Sequence, residues 1–133
     1  MNTIEYTFGG KTVHLYLNGE AMFAISALDD QLPEGAPEIL ELMKQHTPEG
    51  IDARCRVAQI LAQQGENCRR YLGYSPERVP DAGELKLLLT PVQQLGLLSA
   101  VYRAINSGYE GGAANQTGDI DLGLAELEKK TKL

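Results

Sequence analysis

The sequence has no tryptophan and only two phenylalanines, two cysteines and two histidines in 133 residues. With six tyrosines as its other rings, the core has to be built from aliphatic side chains. That suits packed helices and leaves little for stacking on bases or sugars. Positive charge is short as well: 12 Lys and Arg stand against 18 Asp and Glu, for a formal net charge of -6. A protein that neutralises a phosphate backbone needs the opposite balance, so no nucleic-acid partner is expected. Long apolar runs are missing too. No stretch approaches the roughly 20 residues that cross a bilayer, and the segment from Met1 to Phe8 lacks the basic region and apolar stretch of a signal peptide. The expectation is a soluble, cytoplasmic chain of one-domain size, without membrane contact.

The scarce cysteines and histidines bear on metal and redox chemistry. Cys55 and Cys68 fall in one predicted helix, where their spacing corresponds to roughly 20 Å along the axis. A disulfide needs Cα atoms within about 7 Å, so no intrachain bond is expected. The same distance excludes a shared zinc, and His14 and His46 have no short-range partner of the kind metal sites use. No metal or cofactor is expected. Cys68 reads as a core thiol and Cys55 as a residue at the helix flank.

What is present is a change of periodicity along the chain. Ile4, Tyr6 and Phe8, then Val13, Leu15 and Leu17, recur at every second position on either side of Gly9-Gly10. Alternation around two glycines predicts a β-hairpin over 3–17. A hairpin alone is marginal in water, so this one must lie on helices or join another sheet, and its edge and apolar row are candidates for self-association.

Helical spacing follows. A short helix is predicted over Glu20 to Asp30. Pro37 is expected to open a second with Ile39, Leu40 and Met43 as its stripe, and Thr47-Pro48 the longest, running to Leu72. In that long helix Val57, Ile60, Leu61, Cys68 and Tyr71 share one face, which leaves Arg54, Arg56, Arg69 and Arg70 as an expected solvated basic flank. Asp81 and Thr90-Pro91 carry the signatures of two further helix starts. Val92, Leu95, Leu98, Val101, Tyr102 and Ile105 form the strongest apolar stripe and are expected at the centre of the core.

Residues 109–118, with Gly111-Gly112 and little to bury, read as a flexible linker. In 119–133, Ile120, Leu124 and Leu127 recur at i, i+4 and i+7, with acids early and lysines late, the pattern of a short amphipathic helix that needs a surface to dock on. The fold class expected is α+β, mainly α: an N-terminal hairpin packed on a bundle of about four to five helices within residues 1–108, followed by the linker and the amphipathic segment.

No catalytic constellation emerges. Gly9-Gly10-Lys11-Thr12 lacks the earlier glycine and the strand-to-helix setting of a phosphate loop. Ser26, Ser75, Ser99 and Ser107 have no neighbouring histidine or acid that suggests a triad, and Asp29, Asp30 and Glu34 sit at a helix break, where acids cap. The expectation is a protein that is not an enzyme, with Ile120, Leu124 and Leu127 as partner-binding residues and Ile4, Tyr6, Phe8, Val13, Leu15 and Leu17 supporting self-association.

The layout, from the opening Ile4-Glu5-Tyr6-Thr7-Phe8-Gly9-Gly10-Lys11-Thr12-Val13 through a helical middle to Asp121-Leu122-Gly123-Leu124 and a lysine-rich end, resembles the tail assembly chaperones of long-tailed phages and prophages. The resemblance implies a non-enzymatic protein that binds and solubilises the long helical tape-measure protein in the bacterial cytoplasm while the tail assembles, and that self-associates into a homo-oligomer. It also implies a longer form made by frameshifting, with which the run Glu128-Lys129-Lys130-Thr131-Lys132 is compatible. The alternatives are a head-tail connector or other minor virion component, and a small regulatory or ligand-binding domain.

Overall fold

Each element starts where a side chain can satisfy the backbone groups that the element leaves open. In the computed structural model, which describes residues 3–110, β1 (Ile4–Phe8) and β2 (Lys11–Leu15) pair antiparallel, with Tyr6 opposite Val13. Gly9 and Gly10 both have positive φ, the geometry of the tight hairpin turn that matches strand twist. Asn18 caps α1 (Gly19–Asp30) by accepting from the Ala21 amide. Thr47, followed by Pro48, caps α3 (Pro48–Tyr71). Reciprocal capping boxes, Asp81 with Glu84 and Thr90 with Gln93, open α4 (Ala82–Leu88) and α5 (Pro91–Tyr109). The second helix is shorter than Pro37 suggested. α2 (Ile39–Leu42) begins with the Ile39 amide donating to Asp29 Oδ1 at 2.6 Å, so its cap comes from the last turn of α1.

The architecture is mainly α, with the N-terminal hairpin packed on the helices. α3 is the hub: β2, α1, α2, α4 and α5 all pack against it. This corrects the expectation that the stripe of α5 sits at the centre. The buried face of α5 is Gln94, Leu97, Ala100, Val101, Ala104 and Ile105, and Val92 and Leu95 are exposed. Two alanines and a hydrogen-bonded glutamine hold that face, because small side chains let helices approach closely and a satisfied amide can be buried. A stripe chosen by hydropathy passes over both.

The hairpin is joined to α3 by backbone contact. The Tyr16 amide donates to Leu61 O at 3.1 Å, and a Cβ on Gly65 would stand 1.8 Å from His14 O, so only glycine permits the crossing. Against α5, the Tyr6 hydroxyl donates to Gln93 O at 2.5 Å, with its ring over Gly96. Phe8, Val13, Leu15 and Leu17 are therefore buried in the chain's own core, with Ile4 and Tyr6 partly buried against it. The apolar row expected to support self-association is already taken up by the chain's own helices.

The first half of α3 is largely enclosed, with Ala53, Arg54, Cys55, Val57 and Ala58 all buried. The expected basic flank is corrected at Arg54 and the thiol placement is reversed, while Arg56 and Arg70 are exposed as expected. Arg54 is 0 % exposed. Its Nε and Nη2 donate to Met43 O at 3.1 and 2.9 Å, and its Nη1 donates to Gln94 O at 3.3 Å. Cys55 is the core thiol and Cys68 the partly exposed one. The reversal follows from the surroundings: α2 and α5 close over Arg54, and Gln94 lies against Cys55, so these two side chains off the apolar face are buried. Towards the other end Tyr71, placed on the apolar face by periodicity, is 90 % exposed.

Two substitutions test this frame. Gly65→Ala is expected to lower stability by about 1–3 kcal/mol through overpacking against His14, read as a shift in urea midpoint. Arg54→Met keeps the aliphatic length but takes both donors from Met43 O and removes the tie to Gln94 O, and is expected to cost about 3 kcal/mol. An unchanged thermal midpoint would show that the guanidinium is not holding α2 to α5.

Candidate protein-binding surface

The α4–α5 elbow is held rigidly from below. The Gln94 side-chain amide reaches across to donate to Leu85 O at 3.3 Å and to Cys55 Sγ at 3.7 Å. Gln59 Oε1 accepts from the Ala82 amide at 2.8 Å, and Lys86 Nζ donates to Asp52 Oδ1 at 2.7 Å. Burial alone would raise the Asp52 carboxyl, but Lys86 and Arg56 outweigh it and hold the group below its ordinary value. Leu85 and Leu89 point into the core.

With those positions fixed, their neighbours must face out. Leu87 is 81 % exposed and Val92 77 %, with Leu88 and Leu95 each about half exposed or more. Val92 and Leu95, three residues apart on one helix, lie side by side. Complete covering of these four side chains is worth on the order of 5 kcal/mol by the usual gain for burying Leu or Val. Exposed apolar side chains on a hydrogen-bonded frame are a candidate surface for protein contact.

Further apolar exposures lie at Met22 and Phe23 on α1 and at Tyr71, Leu72 and Tyr74 at and just after the end of α3. The second group is held by Glu66, whose side chain is 4 % exposed. Its carboxylate accepts from Arg69 at 2.7 Å, from Arg70 at 2.8 Å and from the Glu77 amide at 2.7 Å, while the Arg69 guanidinium stacks over the Tyr74 ring. Burial would raise the Glu66 carboxyl. The Glu77 amide and the two guanidiniums overcome that and hold it low. Arg69 and Arg70, expected as a solvated flank, thus clamp the segment after the helix.

Residues weighed for chemistry are not brought together. Among the described residues no group of three His, Cys, Asp or Glu is placed to hold a metal. His14 faces Glu5 across the hairpin at 3.7 Å. Burial pushes the Cys55 thiol up, which makes it an inert core group. A groove of about 280 Å³ between α1, α2 and α3 has Leu28, Leu32, Ile39 and Leu42 in its wall and Glu49, Asp52 and Arg56 at its rim. Asp52 and Arg56 already bond to each other at 2.7 Å.

No protein-family model, curated protein or solved structure matches the chain. The functional reading therefore rests on the surface itself. Ile120, Leu124 and Leu127, the expected partner-binding residues, lie outside the described residues. The ridge at Leu87, Leu88, Val92 and Leu95 was missed as a surface in the sequence because its α5 members read as core. A signal was available: Gln94 together with Ala100 and Ala104 marks a second, quieter face of the same helix.

The Glu66 clamp sets an acid limit. A carboxyl held below its unfolded value contributes stability that is complete above the ordinary glutamate value of about 4.3 and is lost as pH falls through the folded value. Thermal midpoints measured down a pH series should fall below that point. In Glu66→Gln the midpoint should be lower at neutral pH and the acid slope shallower; identical slopes would show that the clamp does not titrate with folding.

Proposed function

We propose that the chain is a non-enzymatic binding protein of a phage or prophage, which holds the apolar stripe of a long tape-measure-like helix during tail assembly in the bacterial cytoplasm. The observation that carries this reading is the exposure of Leu87, Leu88, Val92 and Leu95 at the end of α4 and the start of α5, which hydrogen bonds tie to α3. An amphipathic partner helix presents apolar anchors at i, i+3, i+4 and i+7, the spacing such a ridge can take. The formal charge of -6 supports the solubilising part of the role, since like charges keep coated assemblies apart. The resemblance in chain layout supports the choice of partner. Self-association belongs to the same proposal, but through surfaces other than the hairpin row, which the core occupies.

The test is co-expression with the long helix-rich protein encoded next to this gene, followed by affinity capture and comparison of the soluble fractions. Capture with increased solubility of the partner is the expected result. Val92→Ser combined with Leu95→Ser should abolish capture while shifting stability by no more than about 0.5 kcal/mol per site, as exposed positions do. Undiminished capture by the double variant would remove the ridge from the interface, and no capture by the native chain would remove the tape-measure reading.

A further inference from the structure

The exposed face of α5 continues beyond the ridge. Val92, Leu95, Ser99 and Arg103 fall within an arc of about 80° at 3.6 residues per turn, and all are exposed. Arg56, Arg69, Arg70 and Arg78 each pair with a carboxylate. Arg103, on this face, pairs with none among the described residues. The face is therefore apolar near the start of α5 and cationic towards its end.

The described chain stops at Glu110, immediately after α5, and residues 111–133 follow. Their sequence carries the complementary order when read back along α5: Asp119 and Asp121 first, flanking Ile120, then Leu124 and Leu127. We propose that in the free chain residues 119–127 fold back antiparallel along α5, setting the two aspartates near Arg103 and Leu124 and Leu127 on Leu95 and Val92.

The dimensions agree. Ile120 to Leu127 and Val92 to Ser99 are each about 10 Å along a helix axis. Residues 111–118, fully extended, reach about 26 Å. That covers the return of about 10 Å from Glu110 to the level of Arg103 and the sideways step of about 8–10 Å between packed helices. Antiparallel packing also opposes the two helix dipoles. The tail is then the resting occupant of the ridge, and a partner helix gains access by displacing it. This concerns the free chain and holds whichever partner does so.

Cross-linking of the full-length protein without any partner tests the arrangement. In a Cys68→Ser background, which removes the partly exposed thiol, Leu95→Cys with Leu124→Cys is compared with Phe23→Cys with Leu124→Cys, using a short bis-maleimide and reading intact mass. The first pair is expected to close within one chain about tenfold faster than the second, at a rate independent of protein concentration. Equal rates would overturn the docking. So would a product formed only between chains, which would assign the face to a second copy. Arg103→Glu should slow closure about twofold to fivefold, the range of an exposed ion pair. Adding Asp119→Lys and Asp121→Lys should restore it; closure indifferent to both changes would overturn the register. Matching thermal midpoints establish that each variant is folded.

Discussion

A buried guanidinium that pairs with no carboxylate among the described residues holds this fold together. Arg54 projects from α3 and donates to Met43 O, at the end of α2, and to Gln94 O, in the first turn of α5. A planar fork of donors can serve two helices in this way, whereas a lysine ammonium could not span them. Burial pulls the Arg54 pKa down from its ordinary value, but an arginine so placed stays charged and must therefore keep its acceptors. Gln94 extends the connection: its backbone oxygen accepts from Arg54 while its side chain donates to Leu85 O. Through two polar side chains, α2, α3, α4 and α5 are fixed in one arrangement.

That arrangement explains why apolar side chains are left outside. The chain buries an aliphatic core of small and branched residues around α3. The polar ties at Asp52, Gln59 and Gln94 fix how α4 and α5 are rotated, and with that which of their larger side chains face inward. Leu87 and Val92 point outward because Leu85, Leu89 and Leu97 point inward. Exposed apolar groups on a well-tied frame differ from those on a loose one: a partner meets them without the frame first having to be ordered.

Most helix starts, the hairpin and its turn were legible in the sequence because they depend on local chemistry: Thr47, Asp81 and Thr90 all cap as their neighbours suggest. What escaped was decided by distant partners. Arg54 reads as a surface charge until Met43 and Gln94 are brought to it. Arg69 and Arg70 read as solvated until Glu66 is found between them. Periodicity ranks Val92 and Leu95 above Ala100 and Ala104, and packing ranks them the other way, since close helix contact favours the smaller side chain. The site was thus less legible than the fold, because an exposed apolar residue carries no local mark that distinguishes it from a buried one.

The hairpin has a further consequence for how the protein is made. Its anchors lie far along the chain: Tyr16 bonds to Leu61, Tyr6 to Gln93, and Gly108 leaves room for the Leu17 side chain. On the ribosome the hairpin emerges before the helices it rests on, and its anchors are missing until α3 and then α5 have left the exit tunnel. A two-stranded ribbon has little stability of its own. The hairpin, made before the helices it rests on, is therefore among the last of the described elements to become native, and during translation its apolar row stays uncovered until α5 arrives.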